Sequence, residues 1–192
     1  MDLPVMSIIE LSWLLFVLYW LWGWRRVKGA SRSEPVLPRV LKYWLPLAVG
    51  IFLILPSHRF DGSWLGMRLY PANALSALSG AALTMAGIAF ACWARFVLGR
   101  NWSSVVQVKQ DHELIQRGPY RFVRHPIYSG LLLAFTGTAL AIGEWRGVFT
   151  IAIVAVSFWF KLRLEERWMR ENFGAPYENY MRQVKALIPG VL

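Results

Sequence analysis

Apolar residues gather in five long runs, at about residues 5–24, 43–56, 73–98, 126–143 and 147–160, separated by short polar stretches. A bilayer core takes roughly 20 apolar residues of helix, so the pattern predicts an all-α, polytopic membrane protein with about five transmembrane helices. The second run is short and carries Pro46, which leaves its ends open. The third holds Ser76, Ser79, Gly80, Ala81, Ala82, Ala86 and Gly87. Small residues let helices approach closely, so an internal helix is expected there. Only Glu144-Trp145-Arg146 separates the last two runs, which predicts an antiparallel helical hairpin turning on those residues. Residues 29–38, with Ser31, Ser33, Pro35 and Pro38, read as a turn-rich linker. No internal repeat or low-complexity stretch interrupts the chain.

Composition agrees with the pattern. Of the 192 residues 56% are hydrophobic and 17% charged, with a mean hydropathy of +0.39. A soluble domain usually carries about 25% charged residues, so a soluble enzyme is not expected. The net charge of +10 would suit a nucleic-acid partner, yet no basic and aromatic motif for RNA or DNA accompanies it, and none is expected. The positive charge instead follows topology. Seventeen of the 21 Lys and Arg fall on one side, from Arg25 to Lys42, from Arg100 to Arg124, and from Lys161 to Lys185. Short basic loops stay cytoplasmic, which predicts an outside N-terminus and a cytoplasmic C-terminus, in the plasma (inner) membrane if the source is a prokaryote. Arg59, Arg68 and Arg146 fall on the opposite side. Met1-Asp2-Leu3-Pro4 lacks a basic n-region and no cleavage site follows the first run, so that run is expected to be retained. The single cysteine, Cys92, lies within an apolar run and reads as a packed thiol; no metal site is expected.

Two basic-side regions are unlike ordinary membrane loops. One runs from Leu98-Gly99-Arg100-Asn101-Trp102-Ser103 through Gln107 and His112 to Gly118-Pro119-Tyr120 and Arg124-His125-Pro126-Ile127-Tyr128-Ser129-Gly130, with residues 105–108 as a short extended piece. Pro126 suits the first turn of a helix, placing His125 at its start and Tyr128 one turn inside. The free N–H groups and partial positive charge of a helix start suit an anion. The other region, Lys161 to Gly174, holds Glu165-Glu166. If the helix continues there, Lys161 faces Glu165 and Glu166 faces Arg170 at i,i+4, with Gly174 ending it and Pro176 beyond. Read blandly, these are aromatic-belt and snorkelling residues and a charged interfacial helix.

Taken together, Gly118-Pro119-Tyr120, the Arg-His-Pro-x-Tyr-x-Gly segment, Glu165-Glu166, Phe173-Gly174 and Tyr177 to Tyr180 resemble the isoprenylcysteine carboxyl methyltransferase family across roughly residues 95–190. The resemblance implies one domain over 1–192, with N-terminal spans at 1–72 and a catalytic half at 73–192. It implies a cytoplasmic S-adenosylmethionine site lined by Gln107, His112, Glu113, Leu114, Ile115, Tyr120, His125, Pro126, Ile127, Tyr128 and Glu165. Where the family has a substrate arginine one turn before its cofactor glutamate, this chain has Lys161, with Arg163 nearby. Either would orient an anionic acceptor. The implied partner is a lipophilic or lipidated substrate reached from membrane lipid, with no obligate protein partner. A carboxylate acceptor is already ionised at neutral pH, so methyl transfer needs no base. Three alternatives stay open on the residues alone. They are an NADPH-dependent reductase of the sterol-reductase type, a non-enzymatic membrane scaffold, and a phospholipid amine methyltransferase, which would need a base.

Overall fold

The computed structural model describes residues 3–24, 30–55, 58–102, 107–109 and 114–191. The elements are helix α1 (Leu3–Trp24), strand β1 (Ala30–Ser33), short helix α2 (Val36–Arg39), a π-helical stretch (Val40–Trp44) and α3 (Leu45–Ile54). After these come α4 (Ala74–Leu98), β2 (Gln107–Lys109), α5 (Pro126–Ile142), α6 (Trp145–Phe173) and α7 (Ala175–Gln183). Among the described residues four helices are long and apolar enough to cross a membrane: Pro4–Gly23, Val36–Ile54, Ala74–Leu98 and Trp145–Phe173. The apolar α5 is 17 residues long.

Three sequence expectations change. The second apolar helix starts at Val36 rather than at residue 43, because α2, the π-helical stretch and α3 run on as one helix. Pro46 lies inside this continuous helix, two residues beyond the π-helical stretch, and helix irregularities of that kind commonly accompany a missing backbone N–H. The turn-rich linker also carries β1, which pairs antiparallel with β2 (Ala30 opposite Lys109, Ser33 opposite Gln107) and ties the loop after α1 to the loop after α4. Finally, the hairpin between the last two apolar helices turns on Gly143 and Glu144 alone, since Trp145 and Arg146 already belong to α6. Gly143 closes α5 in the left-handed region at φ +67°, which a side chain rarely adopts.

The close approach expected of the third run's small residues is seen between α4 and α5, while the opposite face of α4, with Leu75, Leu78, Met85 and Phe96, is exposed. Gly80 and Gly87 on α4 face Gly137 and Gly130 on α5, each pair spaced seven residues apart along its helix. A Cβ on Gly130 would stand 2.6 Å from the carbonyl oxygen of Gly87, and one on Gly137 would stand 2.5 Å from that of Gly80. Backbone therefore meets backbone. Between these contacts the buried Thr84 and Thr138 hydroxyls lie 3.1 Å apart, and Trp13 of α1 donates its indole N–H to Thr138 at 3.0 Å.

Arg146, expected in an outer loop, is buried. Its guanidinium donates to the carbonyls of Leu53 and Leu55 at 2.8 Å each and to Glu144 at 2.6 Å, closing the end of α3. Arg95 does the same at the other face, donating to Gly23 at 2.8 Å and Gly99 at 3.0 Å while lying 3.9 Å over the Trp102 ring. Cations suit helix C-termini because the last carbonyls there lack intrahelical donors.

Candidate active site

The start of α5 is positioned by the chain's C-terminal segment. α6 runs unbroken to Phe173, Gly174 turns at φ +57°, and α7 brings the following residues back toward Val123. There the Arg124 N–H donates to the Lys185 carbonyl at 2.8 Å and the His125 N–H to that of Ala186 at 3.0 Å. The Ser129 hydroxyl reaches the Leu187 carbonyl at 2.6 Å. Tyr180 donates its hydroxyl to the backbone of the buried Tyr120 at 2.6 Å. Thus Tyr120, Arg124, His125, Pro126 and Tyr128 are presented together, as the motif reading expects, with His125 at the N-cap.

Against this edge α6 sets its two glutamates, and they divide the work. Glu166 is buried and receives two bonds from Arg124, at 2.9 and 2.5 Å to one oxygen. Arg124 also reaches the carbonyls of Met181 and Val184, so the ion pair locks the C-terminal segment to α6. Glu166 does not turn to Arg170, whose side chain reaches the Glu166 backbone carbonyl instead at 3.4 Å. Glu165 accepts the Tyr128 hydroxyl at 2.6 Å and is a quarter exposed along its side chain. The His125 ring stands between the two acids, Nδ1 at 3.5 Å from Glu165 and Nε2 at 3.3 Å from Glu166. Burial opposes a charge on His125, yet hydrogen bonds with both carboxylates and their attraction outweigh it, so its pKa is raised above the ordinary imidazole value. Burial pushes the Tyr120 phenol up as well, keeping it a neutral group.

Aromatic rings floor the site: His125 stacks on Tyr128 with centroids 5.5 Å apart, and Tyr128 on Phe158 at 4.9 Å. The Lys161 ammonium lies 5.4 Å from the Tyr128 ring centroid, on the Glu165 face of α6. Arg163 is exposed, its guanidinium 4.6 Å over Trp159. Leu114, Ile115 and Ile127 are half-buried, and Gln107 opens β2. His112 and Glu113 lie outside the described residues.

The N-terminal part adds residues that motif reasoning passed over. Glu34 is buried and accepts the Tyr43 hydroxyl at 3.2 Å, and Arg39 donates to the Glu34 backbone carbonyl. The available signal was that Glu34 is the one acid in the basic stretch from Arg25 to Lys42. Between the second apolar helix and α6 runs an apolar groove of about 390 Å³, lined by Leu41, Pro46, Ala152, Val156, Ser157 and Phe160 among others.

Fold and site together define a helical membrane protein in which acidic and aromatic side chains of α6 converge on the start of α5. The family model for phospholipid methyltransferases matches residues 75–176, just over half of the chain, and the chain belongs to that family. The protein-S-isoprenylcysteine O-methyltransferase of Schizosaccharomyces pombe is 26% identical over 158 residues, covering 77% of this chain and 66% of the relative. That of Saccharomyces cerevisiae is 30% identical over 121 residues, covering 62% and 51%. Methanethiol S-methyltransferase 2 of Bradyrhizobium diazoefficiens is 41% identical over 71 residues, covering 36% and 26%. The chain thus spans about half to two thirds of the isoprenylcysteine methyltransferases it matches. The resemblance read from the motifs is borne out, while the reductase and scaffold alternatives gain nothing from relatives that are all named methyltransferases.

Proposed function

We propose that the protein transfers a methyl group from S-adenosylmethionine to the carboxylate of a lipophilic acceptor, of the kind the isoprenylcysteine methyltransferases are named for. The observation that carries this is Glu165, held by Tyr128 and His125 at the start of α5, with Lys161 one turn before it on the same face. The donor set suits the cofactor. A partly exposed carboxylate accepts from ribose hydroxyls or an ammonium. Gln107, His112, Glu113, Leu114, Ile115, Tyr120, Pro126 and Ile127 complete the proposed pocket, as the family resemblance implies.

S-adenosylmethionine, held by Glu165, would supply an activated methyl, which would pass to the acceptor oxygen with the carbon–sulfur electron pair left on sulfur. The protein's residues have no proton to remove. Their work is to orient, to exclude water and to hold charge, which in favourable geometry supplies about 7–11 kcal/mol. Lys161 takes the acceptor carboxylate, a role the exposed Arg163 is less well placed for. The acceptor's apolar tail lies in the groove between α3 and α6, and the site opens to the cytoplasm in a chain whose N-terminus is outside.

Replacing Glu165 by Gln keeps its size and removes its charge, so S-adenosylhomocysteine binding should weaken by about 1.5–3 kcal/mol. Lys161→Met should leave that affinity within about threefold of wild type and slow methyl transfer, since the cation meets a different ligand. Normal binding by Glu165→Gln together with lost binding by Lys161→Met would refute the division and indicate a phosphate-bearing cofactor.

A further inference from the structure

The register of α4 against α5 fixes how deep the start of α5 lies. Gly80 meets Gly137 and Gly87 meets Gly130, so the helices are antiparallel and His125 is level with about Cys92, six residues before α4 ends at Leu98. At 1.5 Å per residue, the start of α5 therefore lies about 9 Å inside the end of its neighbour. Phe96, 77% exposed, carries the apolar outer face of α4 past that level. Exposed apolar side chains on a membrane span face lipid, so the segments around His125 lie at the depth where headgroups pack.

Two segments meet at that depth. Val123 and Lys185 form a backbone bridge, and beyond it Ala186 enters the core around Tyr128 with Leu187 packed against that core. The Ser129 hydroxyl reaches the Leu187 carbonyl at 2.6 Å, so the segment after α7 runs inward along the first turn of α5. It then turns over, with the Val191 N–H donating to the Ile188 carbonyl at 3.1 Å. The outward face of this edge is mixed. Phe122 is 56% exposed, Ile188 51% and Val191 72%, while Arg121 and Lys185 of the same two segments are exposed cations. Neither cation forms an ion pair among the described residues, because Glu165 and Glu166, the acids of this end of α6, turn inward to Tyr128, His125 and Arg124. Apolar tips flanked by unneutralised cations at headgroup depth suit an anionic leaflet.

We propose that this edge seats anionic phospholipids of the adjoining leaflet: Arg121 and Lys185 take headgroup phosphates while Phe122, Ile188 and Val191 enter the acyl boundary. The same backbone holds the start of α5, since the Lys185 and Ala186 carbonyls accept from the Arg124 and His125 N–H groups at 2.8 and 3.0 Å. A seated lipid therefore steadies His125 from outside. The assignment rests on α4 as a membrane span and is independent of the methyl-transfer reading.

The test is residue-resolved hydrogen exchange at the Arg124 and His125 amides, with the full chain in nanodiscs of phosphatidylcholine alone or of phosphatidylcholine mixed with phosphatidylglycerol. Exchange should be slower in the anionic discs, by about fivefold for each cation that meets a headgroup. Arg121→Gln combined with Lys185→Gln should exchange alike in both discs, at an unchanged melting temperature in the neutral ones. Arg121→Lys combined with Lys185→Arg should keep the slowing, and it carries the test if the neutral pair is destabilised. Soluble glycerol phosphate added to neutral discs should have no effect. Equal exchange of wild type in the two discs, a slowing that survives removal of both cations or is lost when they are exchanged, or a slowing by glycerol phosphate, the mark of a free-anion site, would each overturn the assignment.

Discussion

Gly87→Val should be among the most costly single substitutions in the protein, because it drives a branched side chain into backbone. Gly87 and Gly130 meet carbonyl to Cα across α4 and α5, and a Cβ on either falls inside any real contact distance of the other helix's main chain. Overpacking a core usually costs about 1–3 kcal/mol, and there neighbouring side chains can yield. Here the obstacle is a helix backbone, so the loss should exceed about 3 kcal/mol and separate α5, with His125 and Tyr128, from the rest of the site. Ala82→Val on the exposed face of α4 is the control and should be near neutral. Detergent-extracted yield and melting temperature check the pair. Similar behaviour of the two variants would mean that the close approach of α4 and α5 does not hold the molecule together.

Arg124→Met should destabilise the protein by about 3–5 kcal/mol, the usual result of leaving a buried carboxylate without its cation. Both side chains of the Arg124–Glu166 pair are buried, and Arg124 is also the donor to the Met181 and Val184 carbonyls that fastens the C-terminal segment. Adding Glu166→Gln to Arg124→Met should restore much of the loss, since the stranded charge is then gone. A melting temperature unchanged in the single variant would make the pair incidental. Cofactor affinity should fall in Arg124→Met as well, through displacement of His125, and recover with stability in the double variant.

How much of this was legible in the sequence differs by element. The spans from α4 to α6 were readable because apolar length, small-residue spacing and glycine stops are local signals, and Gly80 and Gly87 marked a close helix approach before any partner was known. The early start of the second helix was not, because Pro35, Pro38 and Pro46 look like breaks until the first two are seen at the helix start, where proline does little harm, and the third just after the π-helical stretch. Arg146 was misplaced for a related reason. Sequence registers its charge and position between two apolar runs, whereas its burial depends on the open carbonyls of Leu53 and Leu55, about 90 residues earlier.

At the site, the His-Pro-x-Tyr and Glu-Glu motifs met as their shared chemistry suggested. The different duties of Glu165 and Glu166 depended on Arg124 and on the return of residues 184–187, contacts that no spacing rule reports. Glu166 was paired with Arg170 by helical periodicity, and the longer-range partner won because Arg124 reaches it inside the protein while Arg170 is exposed. Glu34 was the least legible. Its burial and its bond from Tyr43 arise only when the second helix folds against Ser157 of α6.

The central claim, that the pocket around Glu165 binds S-adenosylmethionine, is tested most directly by calorimetric titration of the detergent-purified protein with S-adenosylhomocysteine and, separately, with NADPH. Saturable binding of S-adenosylhomocysteine that weakens in Glu165→Gln, with no binding of NADPH, is the predicted result; binding of NADPH alone would contradict it.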